Sequence, residues 1–244
     1  MYHRHPIMKP QKPNESESFL KAAQIFALAL AIACLMGCAS TPHKKGDAAA
    51  LSLQDAASDV QNESRALEIT MGTLDDLVNK SEPDLKPQFR RFSKALDTLT
   101  ASAKHNERSE ARMAQKTGIY FDEWNKRLAT MNYEVVRARS EARKADVTNY
   151  VDSVNRRYRE SQDAMGPLLN YLYDVRKALD SDLTQNGIES IKPIVAKARE
   201  NADKVQLALG RLNGELAASS ARMSSVVYQN AAFSTNQPPR DVQK

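Results

Sequence analysis

The stretch VTNYVDSVNRRYRESQDAMGPLLNYLYDVRKAL, residues 147–179, decides the fold. Val147, Val151, Val154, Tyr158, Met165, Leu168, Leu172, Val175 and Leu179 fall on alternating steps of three and four, with Ser161 at the polar position between them. That spacing keeps to one side of an α-helix and is the pattern of helices packed along a shared seam; a half-buried strand would alternate in twos. Gly166-Pro167 lies inside the stretch, and the lattice keeps its phase across the pair. A kink is therefore predicted there, not an end.

The lattice extends in both directions. After a turn predicted at Asn186-Gly187, a fourth helix carries Ile188, Ile191, Val195, Ala198, Ala202, Val205, Leu209, Leu212, Leu216, Met223 and Val226. Upstream, a second helix runs from Leu85 through Phe92, Leu96, Leu99, Met113, Tyr120 and Trp124 to Met131. The phase slips by two residues at Met131-Asn132-Tyr133, which predicts a turn. Ser81-Glu82-Pro83-Asp84 breaks the pattern again, with Asp84 as the expected N-cap and Pro87 tolerated in the first turn. The first helix is expected from residue 51, along Leu53, Ala57, Val60, Leu67, Met71, Leu74 and Val78.

Short turns make successive helices antiparallel. The expected fold is all-α, an elongated antiparallel four-helix bundle or coiled coil over residues 51–229, followed by a disordered tail, 230–244. Folding at the three turns brings Met71, Phe92, Leu172 and Ala198 into one layer, and Leu67, Leu96, Leu168 and Ala202 into the next. Asn106 and Glu110 are expected to face Tyr158 and Val154. Because the first helix is the shortest, the hairpin joining the second and third is expected to protrude beyond it.

Composition agrees with long helices. The 244 residues include only 8 Gly and 6 Phe, and 27% are charged. The formal net charge is +5, with both signs interspersed, which does not argue for a nucleic-acid partner. Both cysteines, Cys34 and Cys38, lie near the N-terminus, so the rest of the chain has no disulfide, thiolate metal site or cysteine nucleophile.

Residues 1–37 read as a signal peptide: a polar segment with Arg4, Lys9, Lys12 and Lys21, then an apolar run from Ala22 to Met36. The run is short for a membrane span. Leu35-Met36-Gly37-Cys38 resembles the bacterial lipobox, whose cysteine is lipidated and becomes the mature N-terminus. Ala31-Ile32-Ala33-Cys34 is a weaker second candidate, and an uncleaved helical anchor is the remaining reading. Residues 38–50 are then the lipidated N-terminus and a flexible tether. Ala39 follows the cysteine, where inner-membrane lipoproteins often carry Asp. The resemblance thus implies the outer membrane, facing the periplasm.

The protruding hairpin gathers Tyr120, Phe121, Trp124 and Tyr133 with Arg137, Arg139 and Arg143. Aromatics beside basic groups suit a membrane interface or a protein partner. They equally suit a closed bundle end with a solvated basic face, the commoner arrangement. Past the expected signal peptide only His43 and His105 remain as histidines, with no second ligand at metal spacing. No phosphate-binding loop, nucleophile elbow or catalytic triad is present as a motif. Ser64, Asn106, Glu110, Thr117, Ser161 and Ser219 interrupt the seam. Such residues more often fix register than line a functional cavity.

Tyr120-Phe121-x-x-Trp124, Arg137-x-x-Ser140-x-x-Arg143, Tyr158, Pro167-Leu168 and the segment Leu183 to Ile188 resemble the bacterial family called domain of unknown function 2959. The resemblance covers most of residues 50–225 and is strongest from Tyr120 to Ile191. It implies an envelope lipoprotein and carries no functional residue across. The expectation is a non-enzymatic, lipid-anchored helical scaffold, spacer or partner-binding arm, without cofactor. Its partners would be the membrane, through the N-terminal lipid, and an envelope protein or a second copy, through its helices. The alternative is a chaperone-like or lipid-handling carrier with apolar cargo between its helices.

Overall fold

The computed structural model describes residues 41–80 and 82–225. Four helices account for nearly all of them: α1 (Pro42–Asn79), α2 (Lys86–Leu128), α3 (Glu134–Ser181) and α4 (Gln185–Met223). There is no strand among the described residues. At 48 residues, α3 is about 70 Å long. Each helix packs on two neighbours in the ring α1–α2–α3–α4, and α2 and α3 touch least. Short turns make every neighbouring pair antiparallel. This is the expected all-α bundle within the unit that begins at Pro42. The predicted tail, the signal peptide and Cys38 lie outside the described residues.

The seam is the predicted lattice. Leu53, Leu67, Leu74, Phe92, Leu96, Leu99, Met113, Val154, Leu168, Leu172, Val195, Leu209 and Leu216 are all fully buried or nearly so. Met71, placed by sequence in a core layer, is only half-buried. Its neighbours Gly72 and Ala202 are too small to cover it, leaving an open groove of about 450 Å³ between α1 and α4.

The turns fall close to expectation, with physical reasons for the offsets. The Asp84 carboxylate accepts from the Lys86 amide at 3.1 Å, while Leu85 occupies the cap position and Pro87 the first turn. The turn expected at Asn186-Gly187 sits a few residues earlier, at 182–184. Thr184 caps α4 there by accepting from the Gly187 amide at 3.1 Å. Gly187 is needed for close approach: a Cβ on it would lie 2.2 Å from the Asp182 carbonyl oxygen. Helix α3 runs unbroken through Gly166-Pro167, which face solvent, so water can take up the carbonyl that proline leaves unbonded.

The largest departure is at the start of α1. Residues 42–50, expected as tether, are helical, and Gly46, Ala49 and Ala50 are buried. They continue the lattice upstream with side chains too small to register as hydrophobic. Small size is what the packing needs here: a Cβ on Gly46 would come within 3.0 Å of the Tyr120 ring. Lys45 pairs with Glu123 at 3.1 Å, Ser220 donates to the Ala50 carbonyl at 2.8 Å, and Asp47 accepts from the Ser225 amide at 2.8 Å. Helix α1 therefore accompanies the α2–α3 hairpin as far as Glu123, and the hairpin protrudes by much less than the sequence implied.

Candidate functional site

Two places in the bundle carry polar or aromatic chemistry that packing alone does not demand. One lies in the seam, the other at the end where α2 turns into α3.

In the seam, Glu63 is buried, 3% exposed, although the sequence pointed to Ser64. Helix α1 touches both α2 and α4, so its buried stripe is wider than a two-position seam and takes in Glu63, Ala66, Thr70 and Leu77 as well. Ser64 sits at the edge of that stripe and accepts from Gln206 at 2.6 Å. The Glu63 carboxylate accepts from the Asn106 amide nitrogen at 2.6 Å. Burial pushes its pKa up to about 7; the Asn106 hydrogen bond opposes this and the nearby Glu107 adds to it. The Asn106 amide oxygen and the Tyr158 hydroxyl have no hydrogen-bond partner among the described residues. Burial also raises the Tyr158 pKa, helped by the negative charges of Glu110, Asp59 and Glu63.

Glu110 accepts from Gln162 at 2.7 Å, and Asn106 meets Ser161, Gln162 and Met165 around a small cavity. Glu110 thus reaches about two turns further along α3 than the expected Val154, whereas nearer the turn the Trp124–Ser140 contact keeps the expected pairing. Those two helices touch least of the neighbouring pairs. Beside this layer Asp59 holds Ser109, Arg112 and, at 3.3 Å, His105. The cavity at Glu63, Asn106 and Ser161 is about 90 Å³, room for a few water molecules at ~30 Å³ each. No group of three metal-ligating side chains occurs among the described residues.

At the hairpin, the structure divides the residues that sequence grouped together. Tyr120 stacks on Phe121 with ring centroids 6.0 Å apart and meets Trp124 at 5.3 Å; all three are partly buried. The Trp124 indole donates to the Ser140 hydroxyl at 2.8 Å, locking α2 to α3. These aromatics close the bundle. Arg143 donates to the Arg222 carbonyl at 2.8 Å, and both guanidiniums lie over the Tyr150 ring, tying α3 to the end of α4. Lysines 45 and 126 hold the Glu123 carboxyl below its usual range.

Tyr133, Arg137 and Arg139 remain at the tip itself. Tyr133 is 80% exposed, and Val135 and Val136, which the sequence reading did not single out, are 75% and 57% exposed. Their signal was present: two β-branched apolar residues in the first turn of α3, off the lattice that begins at Val147.

Fold and sites together define an antiparallel helical bundle with a closed seam and one aromatic-locked end. Residues 40–221 match the family described as Protein of unknown function (DUF2959), and the chain belongs to that family. The matched region begins where α1 begins, so the helical residues 42–50 fall inside it. No curated protein and no solved structure matches the chain.

Proposed function

We propose that this chain is a non-enzymatic, lipid-anchored protein of the bacterial envelope, with Cys38 bearing the lipid and the bundle serving as a scaffold, spacer or partner-binding arm. An outer-membrane attachment facing the periplasm follows from Ala39. The observation that carries the reading is the start of α1. Only three residues, Ala39, Ser40 and Thr41, separate Cys38 from Pro42, and the four steps between them span at most about 14 Å. A lipid on Cys38 would therefore fix one end of a stiff bundle at the membrane, since no long tether intervenes. No helix among the described residues is long and apolar enough to cross a membrane. A carrier would place cargo in the groove at Leu67 and Met71. Beneath that groove Leu96, Leu168 and Leu172 are fully buried, which favours a closed scaffold.

The test is metabolic labelling with radioactive palmitate in cells making the wild type, Cys38→Ser or Cys34→Ser. Label lost only in Cys38→Ser is expected. Label retained in Cys38→Ser and lost in Cys34→Ser would move the anchor to Cys34. Label absent from all three would overturn the anchored reading.

A further inference from the structure

We propose that the α2–α3 tip, through Tyr133, Val135 and Val136, seats on the phospholipid surface to which the chain is anchored. This rests on the anchored reading above and adds a second point of attachment.

The three side chains occupy four consecutive positions. The other large exposed apolar residues, such as Ile69, Ile119 and Leu207, stand singly along the helices. Scattered apolar residues need no explanation, whereas a cluster at one extremity does. The tip residues are not required to close the bundle. Leu128 is buried beneath them, and Tyr120, Phe121 and Trp124 fill the next layer.

Position supplies the occupant. Lys45 meets Glu123, so α1 starts about one turn beyond that level, while the hairpin tip lies about two turns beyond it. The tip therefore overreaches the start of α1 by roughly 5 Å, one turn. The chain from Pro42 back to Cys38 spans at most about 14 Å. A lipid on Cys38 and the tip can thus reach the same plane without unfolding any part of α1.

The chemistry fits that plane. A tyrosine and two valines suit the headgroup boundary, where an amphipathic ring and short apolar side chains bury a few ångströms deep. Arg127 and Arg139 flank them and take part in no ion pair among the described residues, which leaves both free for lipid phosphates. Arg137 is engaged with Glu134 at 3.4 Å and Glu141 at 4.0 Å, so it contributes less.

The experiment places a photoreactive amino acid at Val136, or at Asp180 near the other end of α3, in the full chain in intact cells. Membrane fractionation is read in parallel. Both positions are exposed, so neither substitution disturbs the core. Phospholipid adducts at Val136 and none at Asp180, in a membrane-bound chain, are the expected result. A protein adduct at Val136, or no adduct there in a membrane-bound chain, overturns the tip contact and leaves the anchor standing. A chain that fractionates as soluble overturns both.

Discussion

Replacing Glu63 by glutamine should make the bundle more stable in alkali and leave it unchanged in acid. The carboxyl is buried, with one amide donor and no cation against it, and its pKa rises from an ordinary 4.5 to about 7. At about 1.4 kcal/mol for each tenfold change in proton affinity, that corresponds to about 3 kcal/mol. The folded chain holds this proton more tightly than the unfolded chain. The contribution is therefore complete below about pH 4.5, falls as the pH rises toward 7, and is gone above it. A glutamine keeps an oxygen for the Asn106 amide nitrogen and offers its own amide to the unpartnered Asn106 oxygen, with no charge to bury. Denaturant melts of both proteins from pH 4.5 to 8.5 measure the difference directly, and contributions from other carboxylates cancel in it. At pH 8 the variant should exceed the wild type by about 3 kcal/mol, or about 6–12 °C in Tm for a domain of this size. The two curves should converge near pH 4.5. Parallel curves across the whole range would show that Glu63 is solvated or paired, and the polar layer would have to be redrawn.

Two further substitutions test the packing. Gly46→Leu should cost about 1–3 kcal/mol in a denaturant melt, because the new side chain must displace Tyr120. Gly72→Ala, where nothing lies within 4 Å of the added carbon, should gain about 0.5–1 kcal/mol. Equal effects at the two positions would contradict the docking of residues 42–50 on the hairpin. Leu96→Asp should cost about 4 kcal/mol, since it leaves an unpaired charge at a fully buried position. A thermal melt near that of the wild type would remove Leu96 from the core.

How legible each feature was in the sequence follows from the kind of residue that carries it. From Val147 to Leu179 the seam is written in large apolar side chains at fixed steps, and every one of those lattice positions is buried. The turn at 129–133 was visible as a slip of phase. The first turns of α1 were not, because Gly46, Ala49 and Ala50 look like linker by composition, and their packing rests on partners from other helices, the Tyr120 ring beside Gly46 and the Ser220 hydroxyl on the Ala50 carbonyl. Glu63 was missed for a related reason. A helix with two neighbours buries a wide stripe, and a narrow lattice put Ser64 at the seam instead. At the hairpin, aromatic content alone could not separate Tyr120, Phe121 and Trp124, which lock the bundle end, from Tyr133, which does not. That distinction depends on Ser140 and Gly46 lying opposite them, a tertiary fact.

If a lipid on Cys38 joins almost directly to the packed start of α1, protein purified from cell membranes should begin at Cys38 and carry acyl groups on that residue. Its intact mass, with fragmentation of the N-terminal peptide, reads this. A chain that retains residues 1–37, or that begins elsewhere without acyl mass, would rule out the anchor.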